Sequence, residues 1–197
     1  MTLPPSVGNG LVRGCCRWMI ETAQDLERFT VSICTKALDL AKSLPDHNPM
    51  RWLWEAEQEV ALPSALIRVR ELGPKVHRFL SEDASKYSVK YPICLVAIRL
   101  HVLVCFSTIA LLTCSRRGEV LDLEKGAVIC RRDRCYLSVM LRKRGMDGIR
   151  LSMNKPVPRL VAQCIDSLSL IEQWLATVLG EEDPLYAKRV FFHANVR

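Results

Sequence analysis

The sequence has no internal repeat and no low-complexity tract, which excludes solenoids, arrays and linker-like chains. Its opening, Met1-Thr2-Leu3-Pro4-Pro5, lacks the basic start and following apolar run of a secretory signal, so a cytoplasmic setting is expected. A long uninterrupted apolar run is also missing. Pro92 to Cys114 comes nearest, but Arg99 and His101 interrupt it and leave only Val102 to Cys114 free of polar groups of that size. That remainder is too short to span a bilayer, so a buried core helix is expected and no membrane partner. Zinc-finger spacing is absent as well: Cys130 and Cys135 have no second Cys/His pair to complete a set, and no metal or other cofactor is expected.

What is present is a globular composition, 49% hydrophobic over 197 residues, enough for one large domain or two small ones. The nine cysteines are an odd number scattered among aliphatic neighbours, and they read as reduced core thiols. Cys130 and Cys135 are the pair that could face each other across a hairpin. A formal charge of +7 favours an anionic partner, nucleic acid before an acidic membrane surface.

Helical spacing organises the first half. Trp18, Ile20, Leu26, Phe29, Ile33, Leu38 and Leu40 recur with that period from Leu11 to Leu44, predicting one long amphipathic helix or two with a break. Pro45-Asp46-His47-Asn48-Pro49 stops it. Met50 to Val60 is read as another helix, with Trp52 and Trp54 as core or interface anchors rather than bases for nucleotide stacking. Ala65 to Leu80 carries Arg68, Arg70, Lys75 and Arg78, either a solvated face or a phosphate-tracking surface. The polar stretch Ser81 to Tyr91 is the expected boundary, dividing a helical region 1–88 from a region 89–197.

Beyond the apolar helix the period changes. A short helix over Ser115 to Leu123 is followed by β-rich runs at Ala127 to Arg131, Cys135 to Leu141 and Ile149 to Ser152, a small three-stranded antiparallel sheet. Pro156-Val157-Pro158 is read as the entry to a final helix, Arg159 to Leu179. The expected fold class is therefore α+β, mainly helical.

Two basic motifs lie within this second region. Thr113-Cys114-Ser115-Arg116-Arg117-Gly118-Glu119 follows the apolar helix, and Arg142-Lys143-Arg144-Gly145 follows the second β-run. A planar, permanently charged guanidinium suits the charge that grows on a phosphodiester under attack, and a lysine with neighbouring cations suits delivery of a proton to an alkoxide.

In this order the motifs resemble the first half of the catalytic domain of tyrosine recombinases, the phage-integrase family. Their Thr-Gly-x-Arg-x-x-Glu turn falls on Thr113 to Glu119, with Cys114 and Ser115 standing where a glycine and an apolar residue are usual. The resemblance implies that Arg116 binds the scissile phosphate and that Glu119 supports the site. It also implies that Lys143, the hairpin lysine, protonates the leaving oxygen, with Arg117, Arg142, Arg144 and Arg150 as DNA contacts. Arg150 to Pro158 resembles the return from the sheet into the next helix, and residues 1–88 match the family's DNA-gripping domain only in general character.

The family completes its site with His-x-x-Arg and a tyrosine that forms a phosphotyrosine link. Neither is found here: His193-Ala194-Asn195-Val196-Arg197 has one residue too many, and Tyr136 and Tyr186 do not occupy the nucleophile's place. The resemblance thus implies a recombinase fragment that binds double-stranded DNA without cutting it, and that self-associates on DNA as a complete enzyme. A non-catalytic DNA-binding remnant and a helical protein-interaction module are the two competing expectations.

Overall fold

The computed structural model describes residues 4–43, 48–70, 92–140, 152–180 and 190–191. It is mainly helical with one small antiparallel sheet, an α+β protein. The helices are α1 (Pro5–Glu21), α2 (Ala23–Ser43), α3 (Pro49–Glu59), α4 (helical over residues 64–70), α5 (Ile93–Thr113), α6 (Arg117–Leu121) and α7 (Arg159–Leu179). The strands are β1 (Val128–Arg131), β2 (Arg134–Met140) and β3 (Ser152–Val157), in the order β1-β2-β3. Of the two expected N-terminal arrangements, the structure has two helices, with the break at Thr22.

The chain forms two compact units. One contains Glu21, α2, α3, α4, α5 as far as His101, and α7 from Ile171. Its core is set by spacing on α2, where Leu26, Phe29, Ile33, Cys34 and Ala37 are buried, and by Leu53 and Ala56 of α3 and Leu66 and Val69 of α4. Asn48 starts α3 by accepting from the backbone N–H groups of Met50 at 3.1 Å and Arg51 at 3.4 Å, with Pro49 at the first helical position. Lys36 and Glu59 pair at 2.6 Å between α2 and α3, an exposed contact of small energetic weight.

Of the two places expected for the tryptophans, core or interface, neither residue is in the core. Leu53 and Ala56 face the core, Trp52 is half-buried, and Trp54 keeps 38% of its surface exposed. On an 11-residue helix the apolar stripe has room for one face, and Trp54, one residue past Leu53, points about 100° away from it. Arg68 and Arg70 are exposed; Lys75 and Arg78 lie outside the described residues, as does Ser81 to Tyr91.

At the start of α5, Glu57 reaches across from α3. Its Oε1 accepts from the Ile93 N–H at 2.8 Å and its Oε2 from the Cys94 N–H at 3.0 Å, satisfying two of the donors that a helix leaves unpaired. Burial raises the pKa of Glu57, against the lowering by those two N–H groups and by Arg70. From here α5 enters the core: Cys94, Leu95, Ala97, Ile98 and His101 are all buried, and Cys94 lies 3.9 Å from the Thr30 hydroxyl. Length and composition alone would let α5 cross a membrane.

The other unit contains α1 as far as Ile20, α5 from Val102, α6, the sheet, α7 as far as Leu170, and Val190–Phe191. The Cys105 thiol donates to the Met19 sulfur at 3.7 Å, and Cys15 bonds Thr108, which packs α1 along α5. Cys164 of α7 is buried in the same unit, and burial raises the Cys15 thiol pKa. Ile20, one of the apolar residues recurring at helical spacing, is 75% exposed, and the buried positions of α1 are Cys15 and Met19. Val190 donates to the Leu123 carbonyl at 2.9 Å, and Phe191 meets Phe106 edge-on at 5.7 Å.

In the sheet, Arg132-Asp133 is a two-residue turn, with Arg132 at φ 53°, and it sets Cys130 directly opposite Cys135. These two form a disulfide, which corrects the expectation of nine free thiols; seven remain free. The third strand is also displaced from its expected place, running over Ser152–Val157 instead of ending at Ser152. Pro156 is tolerated because, among the described residues, β3 pairs with β2 alone, so its missing N–H need not serve a second neighbour. Pro158 then leads into α7, which begins and ends where the sequence predicted.

His101 is fully buried, and burial lowers its pKa from 6.5 to about 4. A folded-state value below the unfolded one gives stability that is present above pH 6.5 and lost as pH falls toward 4. The loss is expected to reach about 3 kcal/mol as an upper bound. Glu57, with its raised pKa, acts in the opposite sense: its contribution is complete below 4.5 and fades as pH rises. Urea melts of wild type and His101→Leu across this range separate the two, the expected result being a flatter acid limb in the variant. Alkylation of the denatured, unreduced protein is expected to label seven cysteines, and all nine after reduction.

Candidate functional site: the turn at Arg116

Helix α5 ends in a polar turn. The Thr113 hydroxyl donates back to the Ile109 carbonyl at 2.7 Å, and the next residue, Cys114, takes φ 50°. That is the left-handed conformation in which a helix commonly closes with glycine, and an L side chain there costs roughly 1–2 kcal/mol. Cys114 stands at the position for which the motif pattern has glycine, and the backbone shows why glycine suits it.

Arg116 follows in extended conformation, φ −71° and ψ 150°, immediately ahead of α6. Its main chain is held from both sides. The N–H donates to Glu119 Oε2 at 3.0 Å, while the carbonyl accepts from the N–H groups of Glu119 at 2.9 Å and Val120 at 3.0 Å. Only half of a capping box is formed, because a guanidinium has no acceptor to return to the helix. Glu119 is 8% exposed, and Val120 beside it is fully buried, so the turn rests on the core. The side chains of Arg116 and Arg117 are exposed. A rigid main chain therefore presents two guanidinium groups to solvent.

A residue that motif reading passed over joins this turn. Lys155 of β3 lies opposite Leu137 in the β2–β3 register, on the face where Cys135, Leu137 and Val139 are buried. Its ammonium donates to Ser115 Oγ at 3.1 Å, and Ser115 Oγ lies 2.8 Å from Thr113 Oγ1. Thr113 Oγ1 is placed to donate to either the Ile109 carbonyl or Ser115 Oγ, and Ser115 Oγ also accepts from Lys155. The one available signal was the register, which the sequence did not contain.

The structure thus brings Thr113, Ser115, Arg116, Glu119 and Lys155 together. Lys143, Arg142, Arg144 and Arg150 lie outside the described residues, in the connection between β2 and β3. At the opposite tip, the β1–β2 turn carries Arg131, Arg132 and Arg134, all exposed. Among the described residues no group of three or more His, Cys, Asp or Glu could hold a metal ion. Comparison with protein-family models, curated proteins and solved structures finds no match to this chain.

Because Cys114 occupies a left-handed position, Cys114→Gly is expected to leave stability unchanged or raise it by up to about 1 kcal/mol. Cys114→Ile is expected to lower it by about 1–2 kcal/mol, since a β-branched side chain tolerates that conformation least. Urea midpoints of the two variants against wild type check this.

Proposed function

We propose that this chain binds double-stranded DNA as part of a tyrosine-recombinase-type protein, with Arg116 on a backbone phosphate. The observation that carries the reading is the clamp on Arg116. Three hydrogen bonds involving Glu119 and Val120 fix its main chain, while its side chain remains exposed. A catalytic guanidinium gains from such support, because a charge already in place needs no reorganisation when the phosphoryl oxygens become more negative.

Three further features support it. The left-handed residue falls where the recombinase pattern has glycine. The order of apolar helix, arginine turn, short helix, three-stranded sheet and helix is the order that the resemblance implies. The connection between β2 and β3 carries Arg142-Lys143-Arg144.

In this reading Arg116 neutralises the scissile phosphate, Glu119 holds the turn, and Lys143 protonates the departing 5′ oxygen. Arg117, Arg142, Arg144 and Arg150 contact neighbouring phosphates. The reaction is phosphoryl transfer to a tyrosine, conserving the energy of the phosphodiester in a protein–DNA bond. This sequence has neither His-x-x-Arg nor a tyrosine at the nucleophile's place, so the chain by itself holds DNA without cleaving it.

Duplex affinity measured by anisotropy over a range of salt tests the proposal. Wild type is expected to show a steep log–log salt dependence, and Arg116→Ala a slope smaller by about 0.9, the share of one phosphate contact. The melting temperature should be unchanged, since the guanidinium makes none of the turn's bonds. Loss of folding with unaltered affinity per folded molecule would show that Arg116 is structural.

A further inference from the structure

We propose that Lys155 and Arg116 hold the same phosphate group, with Lys155 as a second cationic contact placed by Ser115. The inference rests on the DNA reading for the identity of the occupant, a phosphodiester of the duplex. The anion site itself rests on the geometry.

A lysine on the buried face of a sheet needs a destination for its charge. Here Lys155 is half-buried, opposite Leu137, and its ammonium's bonded partner is the neutral hydroxyl of Ser115. That hydroxyl belongs to the residue immediately before Arg116. Among the described residues no carboxylate pairs with either Lys155 or Arg116: Glu119, the acid of this turn, turns its Oε2 to the Arg116 backbone. Two cationic residues at one short turn, neither paired with an acid among the described residues, leave positive charge there that an anion would neutralise.

The hydroxyl chain gives the ammonium its direction. Thr113 is anchored on Ile109, Ser115 on Thr113, and Lys155 on Ser115, each link between 2.7 and 3.1 Å. One of the three ammonium protons is used, leaving two for oxygen acceptors. Arg116 supplies a planar fork from the adjoining residue. The two non-bridging oxygens of a phosphodiester, which share its negative charge, offer one acceptor to the ammonium and one to the guanidinium.

Two measurements test this. In the first, inorganic phosphate is compared with chloride at equal ionic strength for its effect on melting temperature. Wild type is expected to be stabilised by phosphate, and both Lys155→Met and Arg116→Ala to lose that shift, while Lys155→Arg keeps it. In the second, duplex affinity is followed over salt concentration. Lys155→Met should bind several-fold more weakly with a slope reduced by about 0.9. Ser115→Ala, which keeps both charges but removes the tether, should weaken affinity with the slope retained.

An unchanged phosphate shift and an unchanged salt slope in a folded Lys155→Met overturn the shared site. A reduced slope in Arg116→Ala with none in Lys155→Met overturns it while leaving the DNA reading intact. A phosphate shift lost in both variants, without salt-dependent duplex binding by wild type, supports the anion site and removes the DNA reading. Should Lys155→Met fail to fold, Ser115→Ala decides: undiminished phosphate stabilisation and duplex affinity there overturn the proposal.

Discussion

The ends of α5 are the constraint on which the described structure depends. An apolar helix of 21 residues leaves backbone donors at its start and acceptors at its finish, and each needs a partner once its surroundings are protein. At the start, Glu57 gives both carboxylate oxygens to the first N–H groups. At the finish, the Thr113 hydroxyl returns to Ile109 and Cys114 turns left-handed, so the chain leaves the helix axis within one residue. The turn that presents Arg116 is a product of that second closure. The proposed phosphate contact lies where the helix had to end in any case.

The sheet extends the same logic. Its buried face carries alternate residues of β2, and β3 contributes Lys155 to that face because the ladder puts it beside Leu137. The ammonium has one short route to a polar partner, toward the hydroxyls at the end of α5. Hydrophobic pairing decides which side of β3 faces inward, and the charged residue caught on that side reaches the Ser115 hydroxyl.

How much of this the sequence disclosed depended on how local the controlling interaction was. The bounds of α7 were legible because a 21-residue apolar period lies between Pro158 and Gly180, both visible in the chain. That Cys130 and Cys135 could face each other was legible from two β-rich runs close together in the chain; the two-residue turn that fixes their register and the bond that joins them were not. Register between β2 and β3 was hidden, because an eleven-residue connection over 141–151 imposes none, and with it the third strand and Lys155 were misplaced or missed. Trp52 and Trp54 drew attention by size, but helix phase gave the core to Leu53 and Ala56. Glu57 passed unnoticed, because its partners lie 36 and 37 residues along the chain. The motif around Arg116 was readable; the carboxylate clamp beneath it required coordinates.

The β1–β2 hairpin has a consequence of another kind. Arg131, Arg132 and Arg134 lie within the small covalent ring that Cys130 and Cys135 close. A protease with a preference for arginine that nicked this ring would not release either strand, because the sulfur bridge bypasses the cut. The tip can therefore stand in the open, with scissile bonds on view, and a single incision leaves the strands tethered until the bridge is reduced.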